Sequence, residues 1–225
     1  KKNTIDPENI IKNYGADSVR LFILSDSPPE KDVQWSDQGM LASFKFVQKL
    51  WTLNSKILDK IKNNDQGGEG NDLTKFTNQL INKITQNLEK FHYNVIVANF
   101  YEMYNFLIKE IEKPIKKEIL IENYKKILIL MCPFIPHFAA ECLANLNEKK
   151  INWPIVSKEE LIEEEVNFVV QINGKKRAIL KVNRDIDENS ILNKIKSNNE
   201  TEKLLQNQKI KKTIFVSNRL INIII

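Results

Sequence analysis

Few side chains of the kinds that perform covalent or metal chemistry occur in this sequence of 225 residues, which contains two cysteines and two histidines. Cys132 and Cys142 lie in apolar surroundings and form no Cys-x-x-Cys pair, so neither a zinc site nor a disulfide framework is expected. His92 and His137 belong to no metalloprotease motif and to no Ser–His–Asp spacing. The sequence therefore predicts no catalytic residue and no metal site in this segment. His137, between a proline and a phenylalanine, is interpreted as a hydrogen-bonded core residue.

Basic side chains are more numerous, and they are unevenly distributed. The sequence contains 34 Lys and Arg against 29 Asp and Glu, for a formal net charge of +5. Residues 166–225 alone carry 12 basic and 5 acidic side chains, and they follow an acidic stretch, 151–165, with 1 basic and 5 acidic ones. A small basic module of this kind favours a polyanionic partner. A solvated, lysine-rich surface is the alternative interpretation of the same charges.

The overall composition narrows the class of protein. Hydrophobic residues make up 42% of the sequence and the net charge is small, which excludes an intrinsically disordered chain. No run approaches the ~18 consecutive apolar residues of a membrane span, so no membrane partner is expected. No apolar run follows the basic Lys1 and Lys2, so no signal peptide is expected either. The sequence begins without methionine, and we expect it to be a piece of a longer polypeptide.

Two short helices are predicted at the start of the chain. Asp6 before Pro7 is typical of a helix start, and Gly15 predicts the end of that helix. A second helix is predicted over 16–24. Its predicted buried residues are Val19, Leu21, Phe22 and Ile23.

A polar loop is predicted over 30–39, with one large aromatic side chain, Trp35. Trp35 is interpreted as a packing anchor for this loop. Ser36 and Asp37 are expected to cap the next helix rather than to contact RNA.

From Met40 onward, apolar residues recur every three or four positions over about a hundred residues, which predicts amphipathic helices. A glycine-containing loop over 63–71 and the prolines Pro114 and Pro133 separate these helices. The helices are expected to form a bundle over 40–152. The predicted inward residues are, helix by helix, Phe44, Val47, Leu50, Trp51, Leu58 and Ile61; Leu73, Phe76, Leu80, Ile84, Leu88 and Phe91; Ile96, Phe100, Met103, Leu107 and Ile111; Ile119, Leu120, Tyr124, Ile127, Leu128 and Met131; and Phe138, Cys142 and Leu143.

The periodicity changes to that of strands after the acidic stretch. Residues 166–172 alternate, Asn173-Gly174 is a strong hairpin signal, and residues 175–182 form the partner strand. A helix is predicted over 187–197 with Ile191, Leu192 and Ile195 inward, a second short helix over 200–206, and two strands over 212–217 and 220–225. This order predicts a compact α+β module.

Several stretches of the chain have distinctive sequences. They are Asn3-Thr4-Ile5-Asp6-Pro7, Tyr14-Gly15-Ala16-Asp17, Ser27-Pro28-Pro29-Glu30-Lys31-Asp32-Val33-Gln34-Trp35-Ser36-Asp37, Met131-Cys132-Pro133-Phe134-Ile135-Pro136-His137-Phe138-Ala139-Ala140-Glu141, Val170-Gln171-Ile172-Asn173-Gly174-Lys175-Lys176-Arg177 and Arg219-Leu220-Ile221-Asn222-Ile223. The first two resemble the segment after the KMSKS loop of class I aminoacyl-tRNA synthetases. The stretch over 131–141 is similar to the Pro-Phe-x-Pro-His stretch that closes the family's helical bundle. The remaining three are similar to bacterial leucyl-tRNA synthetases in particular, and the resemblance covers nearly the whole chain.

The resemblance implies a mainly α fold, with a class I synthetase helical bundle of the anticodon-binding type followed by a small α+β C-terminal domain. It also implies four regions. They are a connecting segment over 1–39, the bundle over 40–152, an acidic linker over 153–165 and a tRNA-binding domain over 166–225.

The same resemblance implies the partners. In that family the HIGH motif, the KMSKS loop and the editing domain all precede the position of Lys1, so this segment is expected to grip tRNA rather than to catalyse. No cofactor is expected in the segment, and ATP with magnesium is expected for the whole enzyme. The implied partners are a leucine-specific tRNA with a long variable arm and the upstream catalytic domain of the same chain. A cytoplasmic monomer is expected.

Two sets of basic residues are candidate tRNA contacts. Lys45 and Lys49 lie one helical turn apart, at positions that are often Arg in the family. Lysine is only a point charge there, which weakens the expectation of bidentate phosphate contacts. The second set is a possible positive rim on the C-terminal module, although strand alternation sends Lys211 and Lys212 to opposite faces. Its members are Lys175, Lys176, Arg177, Lys211, Lys212 and Arg219. For both sets, a solvated surface is the alternative.

Two other functions stay open from the sequence. One is the equivalent part of an isoleucine or valine synthetase, although the C-terminal stretches over 171–177 and 210–223 count against it. The other is a free-standing RNA-binding or assembly module with the same architecture.

Overall fold

The computed structural model describes residues 5–63, 67–157, 161, 165–197, 205 and 210–225. The chain divides into two compact units, residues 1–161 (the helical unit) and residues 162–225 (the sheet unit). The division falls within the predicted linker over 153–165. The predicted fold class, a helical bundle followed by a small α+β domain, is confirmed. The elements of the helical unit are α1 (Pro7–Tyr14), α2 (Ala16–Asp26), α3 (Asp37–Lys62), α4 (Asn71–Glu89), α5 (Tyr93–Glu110), α6 (Lys117–Met131) and α7 (Pro136–Asn145).

The first helix boundaries follow local signals in the sequence. The Asp6 carboxylate accepts a hydrogen bond from the Glu8 N–H at 3.0 Å, and Pro7 takes the first helical position. Gly15 adopts φ 80°, a left-handed conformation that favours glycine and separates α1 from α2. The predicted boundaries of α1 are therefore confirmed.

The third helix begins three residues before the predicted Met40. The Ser36 hydroxyl accepts a hydrogen bond from the Gly39 N–H at 3.1 Å, so Ser36 is the N-cap and Asp37 lies in the first turn. Trp35 packs edge-on against Phe22, with ring centroids 5.3 Å apart. The predicted capping role of Ser36 and the anchoring role of Trp35 are confirmed, whereas the Asp37 carboxylate accepts a hydrogen bond from the Trp35 ring N–H at 2.8 Å instead of capping the helix.

The buried face of α3 differs from the predicted one. The helix buries Phe46, Leu53 and Ile57, whereas the predicted Trp51 is 39% exposed and the predicted Phe44 and Leu58 are only partly buried. The reason is that α3 packs against four other helices, α2, α5, α6 and α7. The buried face of α3 is therefore broad, and its middle is rotated around the helix axis from the predicted apolar stripe.

Two further predicted core residues are exposed. Ile23 is 48% exposed because an apolar run of four residues on one helix cannot face a single side, and α2 buries Leu21 and Phe22 instead. Phe91 is 57% exposed and has φ 56°, so the chain turns its side chain away from the core between α4 and α5. The inward residues predicted for α5 and α7 are all buried.

The sheet unit contains a four-stranded sheet in the order β2-β1-β4-β3. Strands β1 and β2 are antiparallel, β3 and β4 are antiparallel, and β1 and β4 are parallel. The predicted hairpin turn is confirmed, with φ 50° at Asn173 and 78° at Gly174. The elements are β1 (Glu165–Ile172), β2 (Lys175–Asn183), α8 (Glu188–Ser197), β3 (Lys212–Val216) and β4 (Leu220–Ile224).

One face of this sheet carries the core of the unit. Helix α8 contributes the buried Ile191 and Ile195, and the strands contribute Phe168, Ile221 and Ile223 among others. The second short helix predicted over 200–206 lies outside the described residues, apart from Leu205. Among the helices that the structure describes, none has the length and apolar composition needed to cross a membrane.

Candidate nucleic-acid interface

The exposed face of α3 carries a row of lysines. Lys45 and Lys49 are both exposed, and Lys56 lies on the same side of the helix, because a residue advances about 100° around the axis. We call these three residues the lysine stripe. It spans about 16 Å at 1.5 Å per residue. Within the part of the chain that the structure describes, no hydrogen bond or ion pair occupies these three ammonium groups.

Lys56 is a candidate that the sequence reasoning missed. Lys56 follows Lys49 by seven residues, about two helical turns, and this spacing could have indicated that both lie on the same face. The three point charges suit phosphate groups, and they lack the fork of donors that Arg would offer.

His137 is hydrogen-bonded but it is not a core residue, contrary to the prediction. Its side chain is 75% exposed, and its Nδ1 lies 2.8 Å from a carboxylate oxygen of Asp17. The buried partner is Asp17 itself, which is 7% exposed and also accepts from the backbone N–H groups of His137 at 3.3 Å and Phe138 at 2.7 Å. Asp17 therefore caps the start of α7, and the histidine ring stays at the surface.

Arg20 ties α2 to the connection before α7. Its guanidinium donates to the backbone carbonyls of Phe134 at 3.1 Å and Pro133 at 2.7 Å. Asp17 and Arg20, although charged, hold the helical unit together and are not candidates for ligand contacts. A groove of about 520 Å³ lies between α1, α2, α3 and α7, and its walls include Tyr14, Trp51 and His137.

In the sheet unit, strand pairing brings most of the predicted rim together. Because β1 and β4 are parallel, their ends coincide, and Ile172 lies beside Ile223. The starts of the antiparallel partners β2 and β3 lie at the same place, with Lys175 beside Ile172 and Lys212 beside Ile224. We call this the hairpin end of the sheet. It carries Lys175, Lys176, Arg177, Lys211 and Lys212, all exposed.

The residues of the hairpin end lie on both faces of the sheet. Lys176 pairs with Gln171 and Lys212 with Ile224, which places both on the face opposite the core. Lys175 pairs with the buried Ile172 and so lies on the core side. The pairing of β2 with β1 shifts by one residue at Arg177, which forms a β-bulge. Arg177 therefore has no paired residue in β1.

Arg219 is not part of this end, and a rim of all six residues does not form. It lies in the turn between β3 and β4, and its carbonyl accepts from the Val169 N–H at 3.0 Å. The parallel pairing of β1 with β4 sends the β1–β2 turn and the β3–β4 turn to opposite ends of the sheet.

The hairpin end is braced by two asparagines. Asn222 accepts a hydrogen bond from the Gly174 N–H at 3.0 Å, and Asn173 accepts from the Ile225 N–H at 3.2 Å. The β1–β2 turn is thereby tied to residues at the end of β4 and just after it, which fixes the hairpin end of the sheet. The sequence reasoning used Asn173 only as a turn residue and missed this second role.

The family model described as the anticodon-binding domain of tRNA ligase matches residues 71–195, which is more than half of the chain. The chain belongs to this family. The match begins at α4 and ends within α8, so the lysine stripe lies outside it.

Leucine–tRNA ligases match the whole chain, which confirms the resemblance to the leucine enzymes. The ligase of Allorhizobium ampelinum is 35% identical, and the chain covers 27% of it. The ligase of Fervidobacterium nodosum is 35% identical with 29% covered, and that of Geotalea daltonii is 32% identical with 29% covered. The chain thus spans little more than a quarter of the length of these relatives.

A solved structure has the same fold. It is the ternary complex of Agrobacterium radiobacter K84 agnB2 LeuRS-tRNA-LeuAMS, with a TM-score of 0.82, 24% sequence identity, and coverage of 99% of this chain and 30% of the other. At this identity the likeness supports the fold of the chain.

Proposed function

We propose that this chain is the tRNA-binding C-terminal part of a leucine–tRNA ligase, the enzyme that attaches leucine to its tRNA with ATP. The observation that carries the proposal is the match of leucine–tRNA ligases to the entire chain at 35% identity. The two exposed basic surfaces, on α3 and at the hairpin end, supply the charge that a polyanion requires.

The two basic surfaces have different tasks in this proposal. The lysine stripe lies along one helix and contacts successive phosphates on the inner side of the tRNA. The hairpin end contacts the tRNA elbow and the long variable arm that the resemblance implies. Both surfaces contact the sugar–phosphate backbone of the RNA, and such contacts position the RNA but carry no sequence information by themselves.

The first helix is the proposed contact with the preceding catalytic domain. Helix α1 buries none of its residues, and the side chain of its apolar Ile11 is 43% exposed. Ile5, which lies just before the helix, is 41% exposed. An apolar helix side that the segment leaves open fits a further part of the same polypeptide. The complete ligase is proposed to act in the cytoplasm as a monomer.

ATP and magnesium are assigned to the rest of the ligase. Among the residues that the structure describes, no group of three or more His, Cys, Asp or Glu side chains is arranged to hold a metal ion. We derive no step of leucine activation from the residues of this chain.

The proposal is tested by the binding of leucine tRNA to the 225-residue chain across a salt series. Replacing Lys175, Lys176 and Arg177 together with Ala should weaken binding and reduce the salt slope by roughly 0.7 to 0.9 per lost contact. The matched control replaces three other exposed lysines of the helical unit, and it should leave the slope nearly unchanged. Those three residues are Lys90, Lys149 and Lys150.

Two results would count against the proposal. If the wild-type chain does not bind leucine tRNA at low salt, the proposed tRNA-binding function is wrong. Equal slopes for the triple variant and the control, with unchanged circular dichroism spectra, would return the hairpin end to a solvated surface.

A further inference from the structure

Arginine is rare in this chain and is concentrated in the sheet unit. Of the 34 basic side chains, only four are Arg. Arg20 is held by two carbonyls of the helical unit, whereas the other three, Arg177, Arg184 and Arg219, lie in the sheet unit and are exposed. The exposed arginines differ from the lysines because a guanidinium offers a planar fork of donors that matches a phosphate group.

Arg184 and Arg219 lie in two turns that are bonded to each other. The Asp185 N–H donates to the side-chain oxygen of Asn218 at 2.6 Å, and the Asn218 amide donates to the Asp185 carboxylate at 2.7 Å. Arg184 directly precedes Asp185 and Arg219 directly follows Asn218. Each arginine is therefore adjacent in sequence to one member of this reciprocal pair, and both precede or follow strand ends that lie away from the hairpin end.

The backbone at both turns is unusual. Asp185 has φ 60° and Asn218 has φ 57°, in the left-handed region that Asp and Asn enter more readily than most residues. The chain thus uses the two residue types that combine this conformation with a side chain able to bond across the turns. Such conformations persist where surrounding contacts fix them, as the reciprocal hydrogen bonds do here.

Three acidic groups near these turns, among the residues whose side chains the structure describes, have hydrogen-bond partners of their own. The Asp185 carboxylate accepts from Asn218, Asp187 accepts from Ser190, and Glu188 accepts from the Thr213 hydroxyl. In the described part of the chain, neither guanidinium of the pair has a hydrogen bond or an ion pair. Two donor forks are therefore open to an anion.

We propose that Arg184 and Arg219 form a clamp for one phosphodiester group of the bound RNA. The proposal rests on the proposed function for the source of the phosphate, and it adds Arg184, which no sequence pattern indicated. The nine residues of β2 separate Arg184 from the hairpin end, and the five residues of β4 separate Arg219 from it. At about 3.3 Å per strand residue, the two sites contact different parts of an RNA. The sheet unit then grips its RNA at both ends rather than along one rim.

The small number of arginines permits a direct test by nuclear magnetic resonance. The side-chain Nε–H groups give four signals, which single Arg→Lys variants assign. Titration with inorganic phosphate, and separately with leucine tRNA, should shift the signals of Arg184 and Arg219 together with one midpoint. Arg20 is the internal control that should stay fixed, since its Nε–H is bonded to Phe134. Arg177 is the exposed control, and phosphate should shift it less than the pair.

A double-mutant cycle tests whether the two arginines share one phosphate. The variants Arg184→Lys and Arg219→Lys keep the charge, so the salt slope of tRNA binding should not change. Each should weaken affinity about tenfold, the order expected for losing a charge-assisted hydrogen bond, and the double variant should lose little more. Asn218→Ala should weaken affinity similarly without changing any charge, whereas the exposed Asn193→Ala on α8 should not.

The outcomes separate this site from the proposed function. If tRNA binds, but the Arg184→Lys and Arg219→Lys variants bind it as tightly as wild type, the clamp is wrong and the proposed function stands. Additive losses in the cycle, or shifts of Arg184 and Arg219 with different midpoints, also overturn the clamp. If tRNA does not bind, the proposed function fails, and a phosphate response of the pair would reassign the site to a free phosphate. Absence of that response as well would leave no anion site.

Discussion

The candidate RNA contacts of the helical unit lie along one regular helix, whereas those of the sheet unit lie in turns and at strand ends. The cores differ as well. Among the described residues, the buried cluster of the helical unit has 31 members and that of the sheet unit has 9. The sheet unit places three arginines and a dense set of lysines on a small core. The positions of its candidate RNA contacts therefore depend on a few turn hydrogen bonds, while the lysine stripe depends only on the helix beneath it.

The largest expected effect is the loss of the sheet unit on truncation of its central aromatic residue. Phe168 is 0% exposed and stacks on Phe215 with ring centroids 5.8 Å apart. Removing a buried Phe costs about 3 to 5 kcal/mol, which is comparable to the whole stability of a unit of this size. Phe168→Ala should therefore unfold the sheet unit and leave the helices in place, as amide hydrogen exchange would show.

The matched control is Phe100→Ala in the helical unit. Phe100 is 1% exposed, so the transfer cost is similar, but the larger core should keep that unit folded. Loss of exchange protection in both units of the Phe168 variant would contradict the division into two units.

The second effect concerns the buried carboxylate of the helical unit. Asp17→Ala removes the acceptor for two backbone N–H groups and the His137 ring, and it should lower the free energy of unfolding by about 2 kcal/mol. Urea denaturation measures the loss. Asp32→Ala, at an exposed loop position, is the control and should be nearly neutral. A neutral Asp17 variant would show that the start of α7 needs no cap.

A smaller and pH-dependent effect is expected at the start of α8. The Ser190 hydroxyl, followed by the Ser190 N–H, lowers the pKa of Asp187. Because the folded pKa lies below the unfolded one, the stabilisation is present above the unfolded value and is lost as the pH falls through the folded value. Asp187→Ala should lower the Tm of the sheet unit by roughly 5 °C at neutral pH.

The acid limb is the decisive part of that measurement. Thermal unfolding of wild type and the Asp187 variant should converge at acid pH, where the carboxylate is protonated. A difference in Tm that stays constant from neutral to acid pH would show that the Asp187 charge contributes nothing.

The smallest effect on stability, and a sharp one on reactivity, is expected for the thiols. Burial raises the pKa of Cys142 to about 12, and burial also raises the pKa of the half-buried Cys132. The thiolate is the reactive form, so alkylation at pH 8 should label Cys132 first and leave Cys142 intact in the native protein. Mass spectrometry of the labelled peptides checks this, and Cys132→Ser is the control that should abolish native labelling. Equal rates at the two thiols would mean that the core around α7 is open.

Local signals account for most of what the sequence predicted. The Asp6-Pro7 start, the Ser36 cap and the Asn173-Gly174 hairpin depend on neighbouring residues alone, and each is confirmed. The helical spacing was sufficient for α5 because that helix is buried on one consistent side. It was insufficient for α3, where contacts with four other helices decide which residues are covered.

The candidate site was only partly predictable because strand order is a long-range property. The alternation of residues gave the strands, but the parallel pairing of β1 with β4 decided that Arg219 leaves the hairpin end. The bonded turns of Asp185 and Asn218 lie 33 residues apart in sequence, so no local pattern indicated Arg184. His137 was misplaced because its partner, Asp17, is 120 residues away.

The most direct test of the account is a nuclease footprint of leucine tRNA with the 225-residue chain bound. The account predicts protection at the elbow and variable arm, and along the inner side of the tRNA. Replacing Lys175, Lys176 and Arg177 with Ala should remove the elbow protection, and replacing Lys45, Lys49 and Lys56 should remove the inner protection. A pattern that is indistinguishable from free tRNA, or one that neither variant changes, would contradict the account.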